Sequence, residues 1–68
     1  MTDVAIRGEV IRLGQLLKLA GIADSGTDAK ELLASGTVTV NGEAEARRGR
    51  QLRRGDVVTV ADESVRVA

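Results

Sequence analysis

Five arginines, Arg47, Arg48, Arg50, Arg53 and Arg54, fall within eight residues and form the densest run of one chemistry in the chain. A guanidinium is a planar, permanently charged fork of N–H donors that matches two oxygens of a phosphate or carboxylate at once. Grouped on one loop, such forks grip a polyanion. Arg47, Arg48 and Arg50 have no obvious carboxylate partner, whereas one of Arg53 and Arg54 could bridge to Asp56 or Glu45. For catalysis the chain offers little. It has no histidine and no cysteine, which removes the usual general base, the imidazole and thiolate metal ligands, and the pairs that activate a serine or cysteine nucleophile. Glu43, Glu45, Asp62 and Glu63 fall in turns or on exposed strand positions and make no recognisable acid–base pair. The eight glycines are too scattered for a phosphate-binding loop. No enzymatic activity, cofactor or metal is expected.

The charges are unevenly spread. Ten basic and ten acidic residues cancel over the 68-residue chain, yet residues 1–43 carry −2, residues 44–55 carry +4 and residues 56–68 carry −2. It is the distribution, not the total, that points to a polyanionic partner. Aromatic residues are absent, so no base can stack on a side-chain platform, and the core must be built from Val, Leu, Ile and Ala. The length suits one small, monomeric domain, residues 1–68. No apolar run is long enough to span a membrane, and a cytoplasmic location is the default expectation.

The elements that must hold the arginines follow from periodicity. Residues 4–7 alternate and predict a strand. Leu13, Leu16, Leu17 and Ala20 recur at helical spacing, predicting a helix over residues 12–20 with Arg12, Gln15 and Lys18 on the opposite face and Leu19 between the two. Gly14 inside that helix costs about 1 kcal/mol relative to alanine and would suit the close approach of a neighbour. Ser25-Gly26-Thr27-Asp28 reads as a capping box, with Asp28 reaching back to the cap. A second helix over residues 26–35 buries Ala29, Leu32 and Leu33, with Lys30 at the edge of that face. Thr37-Val38-Thr39-Val40 predicts a half-buried strand, and Asn41-Gly42 a tight hairpin turn that lets residues 44–46 pair back. Leu52 is the only large apolar residue among the arginines and should anchor their loop to the core. A strand over residues 57–61 turns Val58 and Val60 inward. Asp62-Glu63 makes a turn, and Val65 and Val67 flank Arg66 in a last short strand. The expected fold class is α+β, two helices packed on a small antiparallel sheet.

Arg12-Leu13, Leu16-Leu17-Lys18, Ala23 to Ser25, Ala29-Lys30, Gly36, Val38, Val40-Asn41-Gly42 and the stretch from Arg47 to Asp56 together resemble the S4-type RNA-binding domain. The likeness covers roughly residues 12–60, and the chain as a whole is similar to the small stand-alone bacterial members, often described as ribosome-associated. The resemblance implies an L-shaped pair of helices, the alpha-L motif, against an antiparallel hairpin. It also implies structured RNA, ribosomal RNA or tRNA, bound across the first helix, the start of the second and the loop after the hairpin. Carried onto this chain, the RNA-facing residues are Arg12, Gln15, Lys18, Ser25, Lys30, Asn41, Arg47, Arg48, Arg50, Arg53 and Arg54. The chain departs from the family pattern at Gln15, where many members have lysine, and at Gly26, where they have arginine. Plainer roles stand beside these: surface solubility for Lys18 and Lys30, a stem covering apolar surface for Arg12, helix initiation for Ser25 and turn formation for Asn41. The rival to RNA is an acidic protein partner docked on the same arginine loop.

Overall fold

Alternation of valine with threonine sets the central sheet. In the computed structural model, which describes residues 1–68, strands β3 (Val38–Val40) and β6 (Val57–Val60) pair antiparallel, with Val38 opposite Val60 and Val40 opposite Val58. A period of two puts all four valines on one face, where they are buried, and leaves Thr39 and Thr59 on the other. Strand β7 (Glu63–Val67) extends this face with Val65 and Val67, and β1 (Thr2–Val4) adds Val4 at the edge. The other edge is β4 (Glu43–Ala44), giving the order β1-β7-β6-β3-β4.

Helices α1 (Leu13–Leu19) and α2 (Gly26–Ala34) supply the second layer. Leu13, Leu16 and Leu17 are fully buried and join Ala29, Leu33 and the sheet valines in one cluster of 14 buried residues. Two further strands, β2 (Val10–Arg12) and β5 (Gln51–Arg53), form a separate antiparallel ribbon with Ile11 opposite Leu52. Leu52 has no exposed surface, so it is the anchor its isolation among arginines predicts.

The structure departs from the expected elements in several places. The first strand is Thr2–Val4, not residues 4–7, and runs parallel to β7, so the sheet is not wholly antiparallel. Backbone pairing with β7 and the buried Val4 hold it there, and across the seam the Arg66 guanidinium donates from Nε and Nη2 to the two Asp3 carboxylate oxygens at 3.0 and 3.1 Å. Residue Arg12 is extended (φ −79°, ψ 146°) because it belongs to β2, which delays the first helix to Leu13. Strand β2 was not expected at all. Leu32 is only half-buried and Lys30 is exposed: the buried stripe of α2 is narrow, Ala29 and Leu33 four residues apart, and Leu32 lies on its flank. The Ser25 Oγ accepts the Asp28 N–H at 3.1 Å as predicted, but the Asp28 carboxylate reaches Asp24 N–H at 2.9 Å, one residue before the cap. Ser25 is fully extended there (φ −153°, ψ 172°), which turns the preceding N–H over the first turn of the helix.

Both hairpin turns hold two residues. Asn41 and Gly42 have φ of 52° and 86°, positive at both positions as the tight turn requires, so pairing resumes at once with Val40 opposite Glu43, one residue earlier than the expected segment 44–46. Between β6 and β7, Val60 pairs with Glu63, which makes Ala61-Asp62 the loop and moves the turn one residue before Asp62-Glu63. Ala61 therefore holds φ at 54°, a region where a Cβ costs about 1–2 kcal/mol. Ala61→Gly relieves that strain at the expense of added freedom in the unfolded chain, for a net gain of about 1 kcal/mol. A thermal melt should show a rise of roughly 4–8 °C, and an unchanged or lower midpoint would refute the strain.

Candidate nucleic-acid interface

Helix α1 begins without a capping side chain. Arg12 precedes it, makes no side-chain cap bond, and no acidic residue follows in the first turn. The N–H groups left over at a helix start need acceptors. Here they come from the arginine loop: Leu13 N–H donates to the Arg50 carbonyl at 2.8 Å and Gly14 N–H to the Arg48 carbonyl at 3.0 Å. The loop that carries the arginines is thus bonded through its backbone to the end of the helix. Ribbon β2–β5 continues the same attachment, since it joins the residues on either side of these bonds.

A carboxylate organises the loop from within. Glu45 Oε1 accepts the N–H groups of Ala46 and Arg47 at 3.1 and 3.0 Å and Arg47 Nε at 3.1 Å; Oε2 accepts Arg47 Nη2 at 3.2 Å and Arg50 Nη1 at 3.1 Å. Arg47 and Arg50 therefore do have a structural carboxylate partner, contrary to expectation, and their guanidinium edges are partly spoken for. Glu45 stands just past the end of β4, where its N–H still donates to the Val38 carbonyl at 3.1 Å. Asp56 does not pair with a guanidinium. It accepts Arg53 N–H at 2.8 Å and Asn41 Nδ2 at 3.1 Å, while Asn41 Oδ1 accepts Val57 N–H at 2.9 Å. Asn41 thus laces the hairpin turn to the start of β6.

Between α1, the start of α2 and the tip of the loop lies an open cleft of about 260 Å³ lined by Arg12, Gly14, Gln15, Lys18, Gly26, Ala29, Arg48 and Gly49. It falls below the roughly 300–1,000 Å³ usual for small-molecule sites, and it suits a segment of a polymer more than an enclosed substrate. Three cations point to it, Arg12, Lys18 and Arg48. None of them forms an ion pair, and no carboxylate lines the cleft. Gln15 adds a neutral donor and acceptor.

The structure therefore brings together Arg12, Gln15, Lys18 and Arg48. Ser25 adjoins the cleft as the cap of α2, whereas Lys30 is exposed and outside the lining. Asn41 lies apart, with its amide engaged at both ends. Arg53 is exposed on β5, and Arg54 donates from Nη2 to the Ile6 carbonyl at 3.1 Å. Sequence reasoning missed Glu45 as the loop's organiser and β2 as its clasp. The one local sign of the clasp was Val10-Ile11-Arg12 leading into a helix with no Ser, Thr, Asp or Asn to cap it.

Two helices meeting over one face of a small sheet, with a cation-lined cleft where the hairpin's following loop caps the first helix, define an αL-type α+β module. Residues 4–68 match the S4 domain family, and the chain belongs to it. It is 49% identical over 57 residues to RlbA of Bacillus subtilis (strain 168), a protein named for ribosome maturation; the match covers 84% of this chain and 80% of that one. It is 40% identical over 57 residues to YbcJ of Escherichia coli (strain K12), covering 84% and 81%. The solution structure of E. coli YbcJ, described as having an αL motif involved in RNA binding, superposes with a TM-score of 0.74 at 36% identity, covering all of this chain and 87% of that one. The 30S ribosomal protein S4e of Thermoplasma acidophilum shares the fold with a TM-score of 0.66 at 25% identity over 88% of this chain and 32% of its own. No helix is long and apolar enough to cross a membrane.

The Glu45 network has a titration signature. Hydrogen bonds from the Arg47 guanidinium, then from the Arg47 N–H and the Arg50 guanidinium, hold the Glu45 carboxyl down from 4.5 to about 2. Asp56 is also lowered, first by the Arg53 N–H. A carboxyl depressed by folding adds stability that is full above its unfolded value and is lost as the pH falls towards its folded one. The melting temperature should therefore decline between about pH 4.5 and pH 2. Glu45→Gln should melt lower at pH 7 and show a shallower acid limb, with the remaining slope due to Asp56. Parallel pH profiles for the two proteins would show that Glu45 is not the organiser.

Proposed function

We propose that this protein binds structured RNA, with ribosomal RNA or tRNA as the target class, through the cleft between α1, the start of α2 and the arginine loop. The observation that carries the reading is the convergence of Arg12, Lys18 and Arg48 on a cleft that holds no carboxylate, in a chain whose net charge is zero. Unpaired guanidinium forks suit phosphates, and each phosphate neutralised releases counterions. Gln15 can accept from or donate to a 2′-hydroxyl, the group that separates RNA from DNA. With no aromatic side chain for stacking, recognition rests on the backbone and shape of folded RNA. The relation to RlbA, named for ribosome maturation, and to the 30S protein S4e supports ribosomal RNA as the first target to test. Binding is the role this lining supports, since the cleft offers three cations and the Gln15 amide and no carboxylate.

Arg12 and Arg48 are the informative positions, because reversing Arg47 or Arg50 would also break the Glu45 network. Replacing Arg12 and Arg48 together by Glu should abolish binding of a ribosomal stem-loop in fluorescence anisotropy and leave the thermal melt within a few degrees. Exposed charges contribute under about 1 kcal/mol each to folding. Arg66→Ala, which removes the pair with Asp3 on the far edge of the sheet, should leave affinity intact. Undiminished RNA affinity in the folded double variant would move the binding surface to another face.

The kind of nucleic acid is a separate expectation. Stem-loop RNA should bind more tightly than duplex DNA of the same sequence throughout a salt titration, because nothing in the cleft is shaped to read a major groove. Equal affinities would leave only generic polyanion binding, and a preference for an acidic protein over both would favour the docking role.

A further inference from the structure

We propose that Gly14 is a positioning residue for Arg48: its missing side chain is the seat on which the Arg48 stem lies, and that seat aims the guanidinium into the cleft beside Arg12. The inference rests on the RNA reading of the cleft and adds to it the device that orients one of its cations.

Gly14 occupies the second position of α1, is buried, and sits where alanine would favour the helix by about 1 kcal/mol. A Cβ built there would overlap Arg48 Cγ, stand 3.1 Å from Arg48 Cδ and 3.5 Å from the Arg48 carbonyl oxygen. No other glycine of the chain meets a neighbour's side chain in this way; Gly26 and Gly49, which also line the cleft, have nothing within 4 Å of such a Cβ. The crowding is therefore particular to the contact with Arg48. The Arg48 backbone cannot retreat easily, because its carbonyl accepts the Gly14 N–H at 3.0 Å and the next bond, from Leu13 to Arg50, holds the loop at 2.8 Å. A methyl at position 14 would have to turn the Arg48 stem instead, and so carry the guanidinium away from Arg12 and Lys18.

Nothing else fixes that guanidinium. Arg47 and Arg50 are oriented by Glu45, and Arg54 by the Ile6 carbonyl, whereas Arg48 has no carboxylate or carbonyl partner. A long side chain with a free head group is poorly placed for a bidentate contact unless its stem is held. The groove over Gly14 supplies that hold through packing and leaves all the N–H donors open for a phosphate.

The test is a double-mutant cycle between Gly14→Ala and Arg48→Ala, read by anisotropy with a ribosomal stem-loop over a salt titration, with a melt of each variant. Arg48→Ala should lose one phosphate contact, about fivefold in affinity near 0.15 M salt, and flatten the plot of log affinity against log salt by roughly 0.7–0.9. Gly14→Ala should lose affinity and slope by the same amounts, and the double variant should be no weaker than either single one. A role confined to helix stability would leave the salt slope unchanged. Should Gly14→Ala melt low, adding Arg48→Ala should restore the midpoint, because it removes the overlapped Cγ and Cδ; failure to restore it would overturn the seat. Additive losses in the cycle, or full affinity in Gly14→Ala when Arg48→Ala is weak, would also overturn it and leave the RNA reading standing. Full affinity in Arg48→Ala would instead remove Arg48 from the interface, and the inference about Gly14 with it.

Discussion

Two backbone hydrogen bonds, Leu13 N–H to the Arg50 carbonyl and Gly14 N–H to the Arg48 carbonyl, are what the rest of the surface depends on. A buried helix start with no acceptor for its N–H groups is costly. Most helices solve this with a serine or aspartate just outside the first turn. This chain solves it with a loop some 35 residues downstream, and in doing so converts a local requirement of α1 into a tertiary bond. The cleft exists because that bond sets the loop against the helix. Its walls are Arg12 at the end of β2, the helix face bearing Gln15 and Lys18, and the loop tip at Arg48 and Gly49. Leu52, buried beneath, keeps the ribbon on the core, and Glu45 stiffens the loop from inside.

The distribution of charge follows from the same arrangement. The sequence counts five arginines in the loop, but folding gives them different employment. Arg47 and Arg50 hold Glu45, Arg54 holds the Ile6 carbonyl, Arg53 is exposed on β5 away from the cleft lining, and Arg48 is left unpaired on the cleft. Two of the three cleft cations, Arg12 and Lys18, come from outside the arginine run altogether. Three cations are thereby gathered on one cleft in a protein of zero net charge, and no carboxylate is among its lining residues.

What could be read beforehand tracks the range of the forces involved. Period-two valines gave the faces of β3 and β6, Asn41-Gly42 gave the hairpin, and the leucine spacing gave the buried side of α1, all because each signal is complete within a few residues. The isolated Leu52 among arginines was legible for the same reason. The ribbon of β2 and β5 was not, since three-residue strands carry almost no pattern and this pair is defined by a partner some 40 residues away. The parallel partner of β1 was hidden likewise. At the site, Arg12, Gln15 and Lys18 were visible as one helical face, and Arg48 as part of a cluster. Which arginines Glu45 engages depends on where β4 releases it, a register detail that composition does not contain. Leu32 shows the limit from the other side: its spacing was right for burial, but α2 buries a narrower stripe than a leucine pair suggests.

The parallel seam between β1 and β7 has a consequence for how the molecule comes into being. Asp3 and Arg66 are 63 residues apart in the chain and bonded side by side in the sheet. On a translating ribosome, at roughly 5–20 residues per second, the first strand waits several seconds for its neighbour to be made. The clasp of β2 on β5, whose partners lie closer in the chain, waits a shorter time. By the time β7 is made, β2, the two helices, the β3–β4 hairpin and the arginine loop, which between them carry every residue that lines the cleft, have already been made. Strand β7 therefore meets in β1 a neighbour made long before it, and their parallel pairing is the closure of longest range in the sheet. Pairings of such sequence separation are the kind that slow the folding of small domains.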